Sequence, residues 1–186
     1  MNIAEFDKLN LAGGTSLALQ IGHRHSFDLY FFGSIDFEMN KITSYLPFKN
    51  MQIVQESKHI FIVNIDGVKV DFVNFKYPLI NNIHFEDNLR LLSLEDIAAM
   101  KLSAIAGRGK KRDFIDLYFL LKKYSLKELI EFYNKKFYDG SESLVLRSLT
   151  YFDDADKEDE MHLFAKVHWE VIKNNILQHC KNYFHF

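Results

Sequence analysis

Asp28 and Asp71 are the residues whose placement first points to chemistry. The run Asp28-Leu-Tyr-Phe-Phe32 puts Asp28, Tyr30 and Phe32 on one face of a strand and Leu29 and Phe31 on the other. In Val68-Lys-Val-Asp-Phe-Val73, Val68, Val70 and Phe72 share one face, leaving Lys69 and Asp71 on the opposite one. An aspartate in mid-strand is disfavoured, because its carboxylate competes for backbone hydrogen bonds. If the two strands are neighbours in one sheet, Asp28 and Asp71 converge on a divalent cation. Oxygen ligands without cysteine or paired histidine select Mg²⁺ or Mn²⁺ rather than zinc. Spacing alone also fits a plainer arrangement, with Asp28 ending a turn and Asp71 facing solvent.

Lys101 is the second signal. The stretch Ile97-Ala-Ala-Met-Lys-Leu-Ser-Ala-Ile-Ala106 is apolar all round apart from Lys101 and Ser103, so most faces of this helix should be buried. Lys101 lies four residues from both Ile97 and Ile105 and shares their stripe. A buried ammonium must find a counter-charge, and Asp28, Asp71 or a bound phosphate are the natural candidates; the alternative is a lysine that snorkels to the surface. Beyond the helix come Arg108, Lys110, Lys111 and Arg112, a cluster suited to a triphosphate or an RNA backbone or, more simply, to a solvated loop. Asp113 and Asp116 follow; Asp113 complements a helix N-terminus, whereas Asp116 sits among Leu117, Phe119 and Leu120. Gly13-Gly14-Thr15-Ser16 offers backbone N–H groups and two hydroxyls at a helix start, where anionic phosphates bind, although a Gly-Gly pair is more often an ordinary turn. His23-Arg24-His25 reads as a turn carrying one functional cation.

The elements that must position these residues are legible from turn and cap signals. Asp66-Gly67 between two β-rich runs marks a hairpin over His59–Ile65 and Val68–Val73, with Met51–Gln55 as a third antiparallel strand. Gly13-Gly14 feeds a helix over Thr15–Ile21. Ser93 with Asp96, and Ser125 with Glu128, open helices as capping boxes. Further helices are expected over Asp113–Tyr124, Leu126–Tyr138, Ser143–Tyr151 and roughly Met161–Tyr183, with Asp153–Glu160 as an acidic, solvated connector. The shift from mixed strands and helices to helices alone puts a domain boundary between residues 92 and 93.

Composition narrows the classes. The formal net charge of -2 argues against a strongly basic nucleic-acid scaffold while leaving room for a local basic patch. The single cysteine, Cys180, rules out an intramolecular disulfide and a multi-cysteine zinc site, which fits a reducing cytoplasm. Glu5 and Asp7 stand where a signal peptide would carry basic residues, and no apolar run approaches a membrane span. No P-loop, dinucleotide fingerprint, kinase loop or hydrolase nucleophile elbow is present.

Taken in order, Leu11-Ala-Gly-Gly-Thr-Ser-Leu-Ala-Leu19, His23-Arg24 with Ser26-x-Asp28, Val70-Asp71-Phe72, Asp96-Ile-Ala-Ala-Met-Lys101, and Arg108-Gly109 with Arg112-Asp-Phe-Ile-Asp-Leu-Tyr-Phe119 resemble the AbiEii abortive-infection toxin family. The resemblance continues through Leu149–Ala155 to Trp169. It implies an α+β fold: a nucleotidyltransferase-like mixed sheet over 1–92, then a helical domain over 93–186 closing a cleft where NTP and Mg²⁺ (or Mn²⁺) meet. Gly13, Gly14, Thr15 and Ser16 would lie under the triphosphate, joined by Arg24, Ser26, Arg108, Arg112 and Asp113. Asp28 matches the first acid of the family's Asp-x-Asp motif and Asp71 the third carboxylate, both as metal ligands; Lys101 and Asp116 would complete the catalytic set. The implied activity is transfer of NMP to an RNA acceptor such as a tRNA 3′ end, or to a protein, with a cognate antitoxin as partner. Ser26, if phosphorylated, would repel substrate phosphates.

One departure has a chemical consequence. Tyr30 stands where the motif has its second acid, and a phenol with an ordinary pKa of about 10 is a poor Mg²⁺ ligand. A single metal, a substitute acid such as Asp36, or a nucleotide- or RNA-binding module without transfer activity are the three ways to accommodate it.

Overall fold

The computed structural model describes residues 4–34, 41–46 and 50–184. The chain divides into two compact units, one of residues 1–20, 26–78 and 82–92, the other of residues 21–25, 79–81 and 93–186. Together they make the expected α+β architecture.

The first unit is built on β1 (Asn10–Ala12), β2 (Leu29–Gly33), β3 (Met51–Glu56), β4 (Ile60–Ile65), β5 (Val68–Asn74), β6 (His84–Glu86) and β7 (Leu89–Leu91), with helices α1 (Gly13–Ile21) and α2 (Ile42–Tyr45). The strands lie in the order β3-β4-β5-β2-β1-β7-β6, and the sheet is mixed: β2 runs parallel to β5 and β1 parallel to β7, while the remaining pairs are antiparallel. The Asp66-Gly67 turn joins β4 to β5 with both residues at positive φ (51° and 86°), as a two-residue hairpin of the primed type demands. Alternation then sorts the strands. Phe61, Val63, Val70 and Phe72 pack with Phe6, Leu9 and Ile42 on one side of the sheet, and each such burial contributes roughly 1.5–3 kcal/mol. The opposite side of β2 and β5 receives the polar residues.

β1, β6 and β7 went unread in the sequence because three residues each are too short to display alternation. β7 is nonetheless well anchored. Leu92 N donates to Leu11 O at 2.9 Å, and Gln20 Nε2 donates to Leu92 O at 3.0 Å.

The second unit contains α3 (Leu94–Arg108), α4 (Lys111–Leu120), α5 (Leu126–Lys136), α6 (Glu142–Ser148), α7 (Asp153–Asp156) and α8 (Trp169–Phe184). Ser93 caps α3 by accepting from Asp96 N, and Ser125 and Glu128 form a full capping box on α5. Two expectations need correction. The last helix begins at Trp169 rather than near Met161, because the preceding segment bridges to another part of the unit: Leu163 pairs with Arg24, and Phe164 N donates to His23 O at 3.1 Å. The acidic connector is partly a helical turn, α7, which buries Ala155 and offers Asp156 to Trp169 Nε1 (2.6 Å) and Lys173 Nζ (3.0 Å). Among the described residues, no helix is long and apolar enough to cross a membrane.

The hub of this unit is a buried ion pair. Asp96 and Lys136, both fully buried, meet at 2.6 Å. Asp96 also accepts from the backbone N–H groups of Ile80 (3.0 Å) and Asn81 (3.3 Å) and from Ser93 Oγ (2.6 Å). One carboxylate thus ties the residue 79–81 segment to the start of α3 and to the end of α5.

Candidate active site

In the sheet unit, β2 and β5 are parallel neighbours in a register that places Tyr30 beside Asp71 and Leu29 beside Val70. Asp28 immediately precedes β2, two residues from Tyr30, and the two side chains meet: Tyr30 OH donates to Asp28 Oδ2 at 3.2 Å. Asp71 is 7% exposed. Burial pushes its carboxyl above the ordinary carboxylate range; Lys69 opposes this by hydrogen bond and charge, and the nearby charge of Asp28 adds to the upward shift. Lys69 Nζ lies 3.1 Å from Asp71 Oδ2. Asp71 Oδ1 is buried and accepts no hydrogen bond from the described residues.

The Gly13–Ser16 turn adjoins this cluster. Gly13 has φ +69°, a backbone conformation that favours glycine, and a Cβ there would lie 3.1 Å from Tyr30 Cδ2, so the ring would have to shift as well. Thr15 Oγ1 bonds Ser26 Oγ at 2.8 Å and donates to the Asp28 carbonyl, which pins the entry of β2 against the start of α1. Ser16 is fully buried, its Oγ accepting from Gln20 Nε2 at 3.2 Å. Both hydroxyls therefore hold the turn together, leaving the helix N-terminus itself as its anion-facing feature.

A two-carboxylate site fits one divalent cation. Asp28 and Asp71 are oxygen donors on one face, and Asp71 Oδ1 is a buried acceptor with no donor among the described residues, the condition under which a hard cation repays its desolvation. A second cation is less well served. Among the described residues, no group of three His, Cys, Asp or Glu side chains gathers to hold a metal ion. Asp36 lies outside the described residues.

In the helical unit, Asp116 and Asp113 are fully buried on α4 and organise the cations. Asp116 receives Arg24 through Nε (2.7 Å) and Nη2 (2.9 Å), His23 Nε2 at 2.7 Å and Lys101 Nζ at 2.6 Å. Asp113 receives Lys101 Nζ at 3.0 Å, and Arg108 through Nε at 2.8 Å and Nη2 at 3.0 Å. Burial alone would raise both acids. Lys101 above all, then His23 and Arg24 on Asp116 and Arg108 on Asp113, hold them below the usual carboxylate range instead. The counter-charge required by Lys101, which is 5% exposed, is thus this aspartate pair, and the lysine does not snorkel. Arg112 is half-buried on the same helix.

Two residues of these networks carry little signal in the sequence. His23, which reads as part of a turn, is 2% exposed and bound to Asp116. Lys69 shares the strand face of Asp71, and its position two residues before that acid is the signal the sequence offers for their ion pair. Cys180, buried on α8, has its thiol pushed up to about 11 by burial, which disfavours the reactive thiolate.

Comparison with known proteins places the chain as a whole. A protein of Aquifex aeolicus (strain VF5), aq_aa25, is 35% identical over 180 residues, covering 93% of this chain and 86% of its own length. Among solved structures, JHP933 from Helicobacter pylori superposes with a TM-score of 0.59 at 20% identity, covering 95% of this chain and 84% of the other. MenT4, the nucleotidyltransferase toxin Rv2826c from Mycobacterium tuberculosis H37Rv, superposes at 0.62 with 14% identity, covering 94% and 74%. These two show a shared fold. The model of the nucleotidyl transferase AbiEii toxin family of type IV toxin–antitoxin systems matches residues 2–181, and with that span of the sequence accounted for, the chain belongs to this family of nucleotidyltransferases.

Proposed function

We propose that this protein transfers a nucleoside monophosphate from an NTP to an RNA acceptor, with tRNA 3′ ends as the leading candidate, acting in the cytoplasm as a toxin paired with a cognate antitoxin. The observation that carries this reading is the pairing of β2 with β5. It brings Asp71 beside Tyr30, whose hydroxyl bonds Asp28, and Asp71 Oδ1 has no partner among the described residues, which supports a shared metal at these two acids.

The reaction is in-line attack of an acceptor hydroxyl on the α-phosphate, with pyrophosphate leaving. Asp28 and Asp71 would hold one Mg²⁺ or Mn²⁺. Bound there, the ion supplies stabilisation of charge on the entering and leaving oxygens. The Gly13–Ser16 turn orients the triphosphate through backbone N–H groups at the start of α1, and the Thr15 bonds to Ser26 and Asp28 keep that turn in place. In the helical unit, Lys101, Arg24 and Arg108 set three permanent cations against Asp113 and Asp116. Within its own unit the network retains a net positive charge, suited to a phosphate-type anion.

A second reading, a binding module without transfer, is favoured by one observation: Tyr30 occupies the register position next to Asp71 where the family motif places an acid. Incorporation of each α-labelled NTP into total tRNA with Mg²⁺ separates the two. Transfer by wild type that Asp28→Ala and Lys101→Ala lose is the expected result. Transfer by Tyr30→Asp alone, or by none of the proteins, favours the binding module. A neighbouring gene for a small winged-helix protein would support the toxin pairing.

A further inference from the structure

The sheet face that carries Asp28 and Asp71 holds a third charged side chain, Lys69, to which the two-carboxylate reading assigns nothing. Its ammonium is 3.1 Å from Asp71 Oδ2 and 5.5 Å from the centroid of the Tyr30 ring. Tyr30, in turn, is the register partner of Asp71 and donates its hydroxyl to Asp28 Oδ2. The four side chains therefore form one connected group: a phenol at the position of the missing acid, and beside it a fixed cation.

Charge balance relates the phenol at position 30 to the ammonium beside it. Three carboxylates holding two divalent cations leave one net positive charge for the triphosphate to meet. Two carboxylates, one divalent cation and one ammonium leave the same charge. An acid replaced by a neutral phenol would make a second divalent ion excessive as well as poorly ligated, whereas a monovalent ammonium restores the balance. The oxygens of Asp71 divide accordingly, Oδ2 engaged by Lys69 and Oδ1 left for the metal. Lys69 has a half-exposed side chain and three donors, of which Asp71 uses one, so further N–H groups can reach phosphate oxygens.

We propose that Lys69 takes the place of a second divalent cation, so that this chain binds NTP and transfers its nucleotide with a single metal ion held by Asp28 and Asp71. The proposal rests on the nucleotidyltransferase reading above, and the test separates the two.

Native mass spectrometry of the full chain with Mn²⁺ and each α,β-methylene NTP counts the ions in the nucleotide complex directly. One Mn²⁺ per chain is expected for wild type, and two for the double variant Tyr30→Asp/Lys69→Met, in which the acid is restored and the ammonium removed. Lys69→Met alone should keep one Mn²⁺, bind nucleotide about tenfold more weakly and transfer label correspondingly less. Lys69→Arg should recover most of both, because it returns the charge. Two Mn²⁺ ions in the wild-type complex, or a Lys69→Met protein that binds and transfers as wild type does, would overturn the proposal. Wild-type label transfer with two ions removes this inference alone. A wild-type protein that binds neither nucleotide nor Mn²⁺ and labels no acceptor removes the nucleotidyltransferase reading, and this proposal with it.

Discussion

Asp71 combines a proposed metal-binding carboxylate with a cost to folding. Because burial and the charge of Asp28 raise its pKa above the unfolded value, the ionised form is disfavoured in the native protein. The sign follows: the native state is favoured while Asp71 is protonated, and that advantage is lost as pH rises through the raised pKa. At neutral pH, Asp71→Asn should therefore melt no lower than wild type in calorimetry, while label transfer falls by about 10²-fold or more. A large drop in melting temperature would show that the Lys69 bond outweighs the desolvation. Gly13 illustrates a tighter constraint at the same scale, since its positive φ strains any larger residue and the Tyr30 ring would have to yield to one.

At the level of elements, the helical unit depends on buried carboxylates that each serve several helices or segments. Asp96 links α3, α5 and the residue 79–81 segment, and its ionic partner Lys136 is fully buried. Removing one member of a buried pair strands the other charge, so Lys136→Met should cost about 3–5 kcal/mol in urea unfolding. The double variant Asp96→Asn/Lys136→Met should recover part of that loss, because no charge is left unpaired. An additive double variant would show instead that the backbone bonds accepted by Asp96, rather than the ion pair, supply the stability.

For the molecule as a whole, acid should unfold the protein through Asp113 and Asp116. Their folded-state pKa values lie below the ordinary carboxylate value, so their contribution is fully present above the unfolded pKa of about 4 and is lost as pH falls toward the folded values. Urea midpoints measured from pH 7 downward should be level above about pH 5 and fall steeply below about pH 4. Asp116→Asn should lower the midpoint at pH 7 and flatten that slope. Stability that rises on acidification would contradict this account.

Much of the fold was local and therefore legible. The Asp66-Gly67 turn, the Ser93 and Ser125 caps and the alternation of β4 and β5 each depend on interactions within a few residues, and all are present in the structure. The candidate acids could also be named, because an aspartate in a strand contradicts its surroundings. Tertiary structure alone decided which charges meet. Lys101 needed an anion that its own helix does not supply; the choice of Asp113 and Asp116 depends on how α3 and α4 pack, and the convergence of His23 and Arg24 on Asp116 spans more than ninety residues of chain. Likewise, Tyr30 stands beside Asp71 only because β2 and β5 pair in parallel, a register set by the core residues on the other side of the sheet. Local sequence carries the conformational preference of each segment; partner choice among buried charges follows from packing, because desolvation forces each ion to whatever counter-charge the fold brings within reach.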